Sequence, residues 1–88
     1  MNKDRRKSIA ALAERIQELS TLVSEIKDGL VDLRDEEQDY FDNMPEGFQM
    51  ADRGQNAEAA IVSLDDAISA LDDFDADTIT SSLEDAQA

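Results

Sequence analysis

Ile9, Leu12, Ile16, Leu19, Val23, Ile26, Leu30 and Leu33 alternate at spacings of three and four without a break, and the frame continues through Glu37 to Tyr40. An a/d repeat held over more than three heptads confines this stretch to a long helix that packs along a seam, as in a coiled coil. From about residue 5 to 42 it is on the order of 55 Å long at ~1.5 Å per residue. The seam stops at Asp42-Asn43-Met44-Pro45-Glu46-Gly47. Pro45 disfavours helix at Met44 but suits the first position of a following helix, with Asp42 or Asn43 at hand to cap it.

A second frame follows in Met50, Gly54, Ala57, Ile61, Leu64, Ile68 and Leu71. It predicts a helix over about 48–74 after a turn at 43–47; Gly47 and Gly54 weaken its first turns, so the packed part starts near residue 52. Asp75 interrupts the frame, and Ile79 and Leu83 resume it, giving a short terminal helix or tail over 76–88. Reversal at Met44-Pro45 pairs residue i with roughly 88 − i. Leu33 then meets Gly54, Leu30 meets Ala57, Ile26 meets Ile61 or Val62, and Val23 meets Leu64; Leu19 meets Ile68, Ile16 meets Leu71 and Ile9 meets Ile79. The expected fold is all-α: one domain over residues 1–88, an antiparallel helical hairpin.

The flanks of the seam sharpen this expectation. On one side Arg6, Lys27 and Arg34 oppose Glu58, Asp65 and Asp72, which favours antiparallel pairing. On the other, Arg15, Leu22 and Gly29 oppose Ala60, Ala67 and Phe74, a small and apolar flank. A lone two-helix seam gains little from burial in a chain of this size. Leu22, Gly29, Ala60, Ala67 and Phe74 are therefore expected to dock on another copy, giving a four-helix bundle or a larger homo-oligomer.

The residue types absent from the 88 exclude much chemistry: there is no Cys, His or Trp. Zinc sites, disulfide scaffolds and Ser-His-Asp or Cys-His centres all lose an essential group. No apolar run is long enough to span a bilayer, and Lys3-Asp4-Arg5-Arg6-Lys7 leads into an amphipathic stretch, not a signal-peptide core, so the expected location is the cytoplasm. Net charge is −14, which opposes direct binding to nucleic acid or an anionic membrane surface. The charge is also unevenly placed. Residues 1–34 carry seven cations and six acids, whereas residues 35–88 carry Arg53 and 16 acids.

Those acids recur in rows: Glu18, Glu25, Asp32 and Asp39 at seven-residue spacing, with Glu14, Asp28, Asp35 and Asp42 beside them; then Glu58, Asp65 and Asp72, with Asp66 and Asp73 beside them. Interleaved rows bring carboxylates to intervals of ~5–6 Å, close to phosphate spacing along a nucleic-acid strand. A solvated outer face of a coiled coil is the plain alternative. Asp73, Asp75, Asp77 and Glu84 stand at positions 1, 3, 5 and 12 of a calcium-loop pattern, but Thr78 replaces the required Gly and four residues follow Glu84; capping by Asp75 or Asp77 is the simpler account. The expectation is no metal, no cofactor and no enzymatic activity.

The turn from Asp39 to Met50 holds three of the four aromatic residues, Tyr40, Phe41 and Phe48, which close the end of a bundle or form a docking tip. A nucleotide would instead need Arg5, Arg6, Lys7 and Arg53 for phosphate, with Tyr40 stacking on the base. The pattern Asn2-Lys3-x-Arg5-Arg6-Lys7, then Asp35-Glu36-Glu37-Gln38-Asp39-Tyr40-Phe41-Asp42-Asn43-Met44-Pro45-Glu46, then Arg53-Gly54, resembles a group of short acidic hypothetical proteins of bacteriophages and prophages. The resemblance implies a phage-infected or lysogenic bacterium, where small acidic proteins antagonise host defence. The functional expectation is a DNA-mimic-like inhibitor that binds a host protein through Asp39, Tyr40, Phe41, Asp42, Asp65, Asp66, Asp72 and Asp73. A nucleotide-signal sponge and a structural coiled-coil scaffold are the alternatives.

Overall fold

Asn2 starts the first helix. It is extended, and its side-chain oxygen accepts the Arg5 amide at 2.8 Å, while Asp4 adds negative charge to the first turn. The computed structural model describes residues 1–88, and in it this helix, α1, runs unbroken over Lys3–Asp42. The Asn43 amide reaches the Asp39 carbonyl at 3.0 Å and the Met44 amide the Phe41 carbonyl at 3.1 Å before Pro45 ends the ladder. Pro45 falls one position earlier than the sequence suggests, as the residue that caps a one-turn helix, α2 (Glu46–Gln49). Neither Asp42 nor Asn43 caps it; the Pro45 carbonyl itself accepts the Phe48 and Gln49 amides at 2.9 and 3.1 Å.

The chain needs this extra turn to reverse. The Gln49 side-chain amide donates to the Phe41 carbonyl at 2.9 Å, tying α2 to the end of α1. After Met50 and Ala51 a third helix, α3, occupies Asp52–Asp72, and a fourth, α4, occupies Ala76–Gln87. The single helix expected over 48–74 is thus two helices, with the long one beginning at Asp52. All four elements are helical and the molecule is a rod of 68 × 15 × 14 Å. Its radius of gyration is 20.3 Å, far above the ~12 Å of a globular chain of this length.

Helices α3 and α4 run back along α1. Lys27 pairs with Asp72, Arg34 Nη1 with Asp65 at 2.9 Å, and Gln17 hydrogen-bonds Thr80 at 3.2 Å. These contacts set the register: residue i lies opposite roughly 98 − i, not 88 − i. The shift of about ten residues is the length of chain taken up by α2 and its flanking bends. Ile68 therefore stands level with Leu30, and Ala57 with Phe41. Ile79 meets Leu12, Ile16 and Leu19, whereas Ile9 lies beyond it. Arg6 has no acid opposite, and Glu58 forms no ion pair.

The rotation of α1 also departs from expectation. Its half-buried residues are Ile9, Ile16, Val23, Leu30 and Glu37 together with Ala13, Ser20, Lys27, Arg34 and Phe41, and Val31 beside them. The second expected column, Leu12, Leu19, Ile26, Leu33 and Tyr40, is exposed throughout. The helix is thus turned by one heptad column, about 50°, toward its cations. The ion pairs of Lys27 with Asp72 and of Arg34 with Asp65 accompany this rotation, each weak on its own.

Across the seam, Gly54, Ala57, Ile68 and Ala76 are the four buried residues. Gly54 is needed where α2 folds onto α3, because a Cβ there would overlap the Gln49 backbone. Gly54→Ala is expected to lower stability by about 1–3 kcal/mol in urea unfolding despite its better helix propensity. Gly47→Ala, with no atom within 4 Å of the added carbon, should be neutral or gain up to ~1 kcal/mol. A second prediction concerns register. Arg34→Asp should destabilise the rod and Asp65→Arg added to it should restore much of the loss; a double variant no better than Arg34→Asp would break the assigned pairing.

Candidate interaction surfaces

One side of the rod is an open apolar stripe. Leu12, Leu19, Ile26, Leu33 and Tyr40 stand in one column of α1, 43–56% exposed, and Leu22 and Gly29 stand in the next column. Successive members Leu19, Leu22, Ile26, Gly29 and Leu33 repeat the three-four spacing of a second seam, with nothing within 4 Å of a Cβ built on Gly29. Near the other end the stripe continues as a groove of about 500 Å³ lined by Leu12, Arg15, Ile16, Leu19, Ile79 and Leu83. Sequence reasoning assigned Leu12, Leu19, Ile26 and Leu33 to the intramolecular seam and so missed them as surface. The available signal was width: apolar residues fill nearly three columns of α1, more than one partner helix covers.

The remaining expected interface residues lie on α3 and just beyond it. Ala67 is exposed, and Ala60 and Phe74 are half-buried. On α3 they form the flank opposite to that of Asp65 and Asp72, which engage Lys27 and Arg34. Ala60, Ala67 and Phe74 therefore share a side of the rod with the leucine stripe.

The acids lie elsewhere. Glu18, Glu25, Asp32 and Asp39 form the column of α1 that points directly away from α3, and Asp66 and Asp73 form the column of α3 that points directly away from α1; all six are exposed. Glu14, Asp28, Asp35 and Asp42 are exposed beside the first of these columns. Asp65 and Asp72 belong to the ion pairs of the seam, so their charge is partly spent within the chain. Arg34 also holds Asp35 at 3.0 Å. Its pKa is raised, first by the hydrogen bond to Asp65 and then by that to Asp35.

At the turn, Phe41, Met44 and Gln49 are half-buried and close the end of the seam. Tyr40, Phe48 and Met50 are exposed. The Arg53 guanidinium stands 5.7 Å from the centre of the Phe48 ring, at a distance suited to a cation–π contact. With Tyr40, Asn43, Met44 and Pro45 these two residues line a shallow hollow of about 400 Å³. Arg5, Arg6 and Lys7 lie at the opposite end of α1, on the order of 50 Å from Tyr40. One chain therefore brings Arg53 to the aromatic platform but not Arg5, Arg6 and Lys7.

The calcium-loop pattern falls on structure of another kind. Residues 76–87 are helix α4, so Asp77 and Glu84 are separated by helical turns and cannot wrap an ion as a loop does. Asp75 is its N-cap: its carboxylate accepts from the Thr78 hydroxyl and, at 3.0 Å, from the Thr78 amide. No group of three or more Asp and Glu side chains is arranged to hold a metal ion. No helix is long and apolar enough to cross a membrane. Compared with family models, curated proteins and solved structures, the chain matches none of them.

The Asp75 cap makes α4 sensitive to acid. The Thr78 hydroxyl, and then its amide, favour the ionised carboxylate and hold the Asp75 pKa below its ordinary value. Its stabilisation is complete above the unfolded pKa near ~4 and is lost as pH falls through the lowered folded value. Asp75→Ala is expected to fray Ala76–Ile79 at pH 7, seen as loss of helical carbon chemical shifts there. The difference between the variant and the natural chain in that segment should shrink as pH is lowered below ~4.

Proposed function

We propose that the chain is a non-enzymatic, self-associating helical hairpin that binds and inhibits a basic, nucleic-acid-binding protein by presenting carboxylates in place of phosphates. The observation that carries this reading is the placement of charge. Residues 35–88 hold 16 acids against Arg53, and the outermost columns of both long helices hold exposed acids at regular intervals along a 68 Å rod. Seven residues of helix rise ~10.5 Å, and adjoining rows fill that interval. Such a rod steers toward a positively charged groove at long range and is rejected by acidic surfaces. Asp39, Tyr40 and Asp42, together with exposed Phe48 and Met50, add an aromatic and charged tip that lends short-range grip.

The resemblance to short acidic phage and prophage proteins supplies the biological setting for this reading: a host defence protein in the bacterial cytoplasm as the target. The nucleotide-sponge alternative is the weaker one because Arg5, Arg6 and Lys7 lie at the opposite end of α1 from Tyr40, leaving Arg53 as the one cation beside the ring. A scaffold role would leave the acids as solvation alone.

The test is capture from bacterial lysate at low salt, followed by elution with duplex DNA. The captured protein should be a nucleic-acid binder whose binding to labelled duplex is blocked by the chain. Neutralising Glu18, Glu25, Asp66 and Asp73 as Glu→Gln and Asp→Asn should weaken that inhibition by about tenfold or more with helix content unchanged. Asp65 and Asp72 are left intact in this variant because they hold the seam. Capture indifferent both to DNA and to these four changes would contradict the proposal.

A further inference from the structure

From the open stripe we infer a specific dimer: two copies lie side by side with their turns at the same end, and α1 of each docks on α3 of the other. The inference rests on the reading that the chain self-associates, and it names the surface and the arrangement. A two-fold axis along the rod makes the contact isologous and leaves no unmatched surface to propagate. It also fixes the register, because a rotation about that axis involves no sliding. A residue of α1 then lies level with the same part of the second copy's α3 as of its own, again roughly 98 − i.

At that register the sizes fit. Ala60 of the second copy falls between Leu33 and Tyr40, Ala67 falls between Gly29 and Leu33, and Phe74 falls between Leu22 and Ile26. Large residues on α1 thus meet mainly small ones on α3, and the space beside Gly29, empty in the single chain, is where a neighbouring backbone approaches. Ridges and holes of this kind bring helices to ~8–10 Å. The charges fit as well. The stripe of α1 is bordered on its outer side by Glu18, Glu25, Asp32 and Asp39. The α3 residues that would stand nearest to them, Asn56, Ser63 and Ala70, carry no charge. Placing α1 antiparallel against α1 of a second copy would set two such acid columns side by side.

The area points the same way. At that register Ile26 to Leu33 lies level with α3 of the second copy and Leu12 to Leu22 with its α4, ~32 Å of contact in all and on the order of 300 Å². A stable complex needs roughly 800 Å² per partner. Two such contacts per dimer, each of α1 against α3 and α4 and extended at the turn by Tyr40, approach that figure; a single α1–α1 contact falls well short.

The chain has no cysteine, so introduced thiols report on the arrangement without interference. Chains carrying Gly29→Cys and chains carrying Ala67→Cys are mixed, oxidised gently and resolved without reductant, with mass followed in parallel by sedimentation equilibrium. The expected result is twice the mass of one chain, with a mixed 29–67 disulfide dominating over 29–29 and 67–67. Twice the mass with the like pairs dominating would overturn this arrangement and leave self-association standing. The mass of one chain at every concentration would overturn both. Ile26→Asp should halve the mass with helix content retained, whereas Val62→Asp, on the opposite side of the rod and equally exposed in kind, should not change it. The reverse pattern would move the interface to the other side and refute the inference.

Discussion

The structure depends on a mismatch between the apolar face of α1 and the partner that the chain supplies for it. A helix in a two-stranded seam buries two heptad columns. Here Ile9, Ile16, Val23 and Leu30 form one column, Leu12, Leu19, Ile26 and Leu33 a second, and Leu22 with Gly29 part of a third. Helices α3 and α4 cover the first and turn away from the second, since Lys27 and Arg34 on the far side find Asp72 and Asp65. Lys27 and Arg34 thus occupy seam places that Ile26 and Leu33 would otherwise hold. The column left over is the origin of the rod's remaining chemistry.

This division explains why the molecule has so little interior. Four residues are buried, the largest of them Ile68, and the rest of the seam is half-exposed. In the proposed dimer the same residues would form half of a core, and the exposed leucines the other half. The acid columns then stay outside, pointing away from every helix contact. Burial and charge display are therefore served by different columns of the same two helices, and neither compromises the other.

Much of this was legible from residue spacing. The run from Ile9 to Tyr40 shows most of α1, and the opposition of Arg6, Lys27 and Arg34 to Glu58, Asp65 and Asp72 contains the residues of both long-range ion pairs without pairing them. The register was not legible, because it depends on how many residues the reversal consumes. Glu46–Gln49 form a helical turn of their own, held by the Gln49 side chain on Phe41, and no periodicity marks so short an element. The rotation of α1 was hidden for a different reason. Leucine looks more internal than lysine at a seam position, yet Lys27 reaches its partner from the edge while its stem stays half-buried. The calcium-like spacing of Asp73, Asp75, Asp77 and Glu84 was outweighed by Thr78 at the position of the required Gly, and Asp75 is the helix cap that the sequence offered as the simpler account.

The central claim is that the leucine column is covered by a second copy lying alongside, and small-angle X-ray scattering with absolute mass calibration tests it most directly. Side-by-side pairing predicts a mass near twice 9.7 kDa with the longest dimension still close to the 68 Å of one rod. A mass of one chain persisting at high concentration, or a particle lengthened well beyond that dimension, would contradict it.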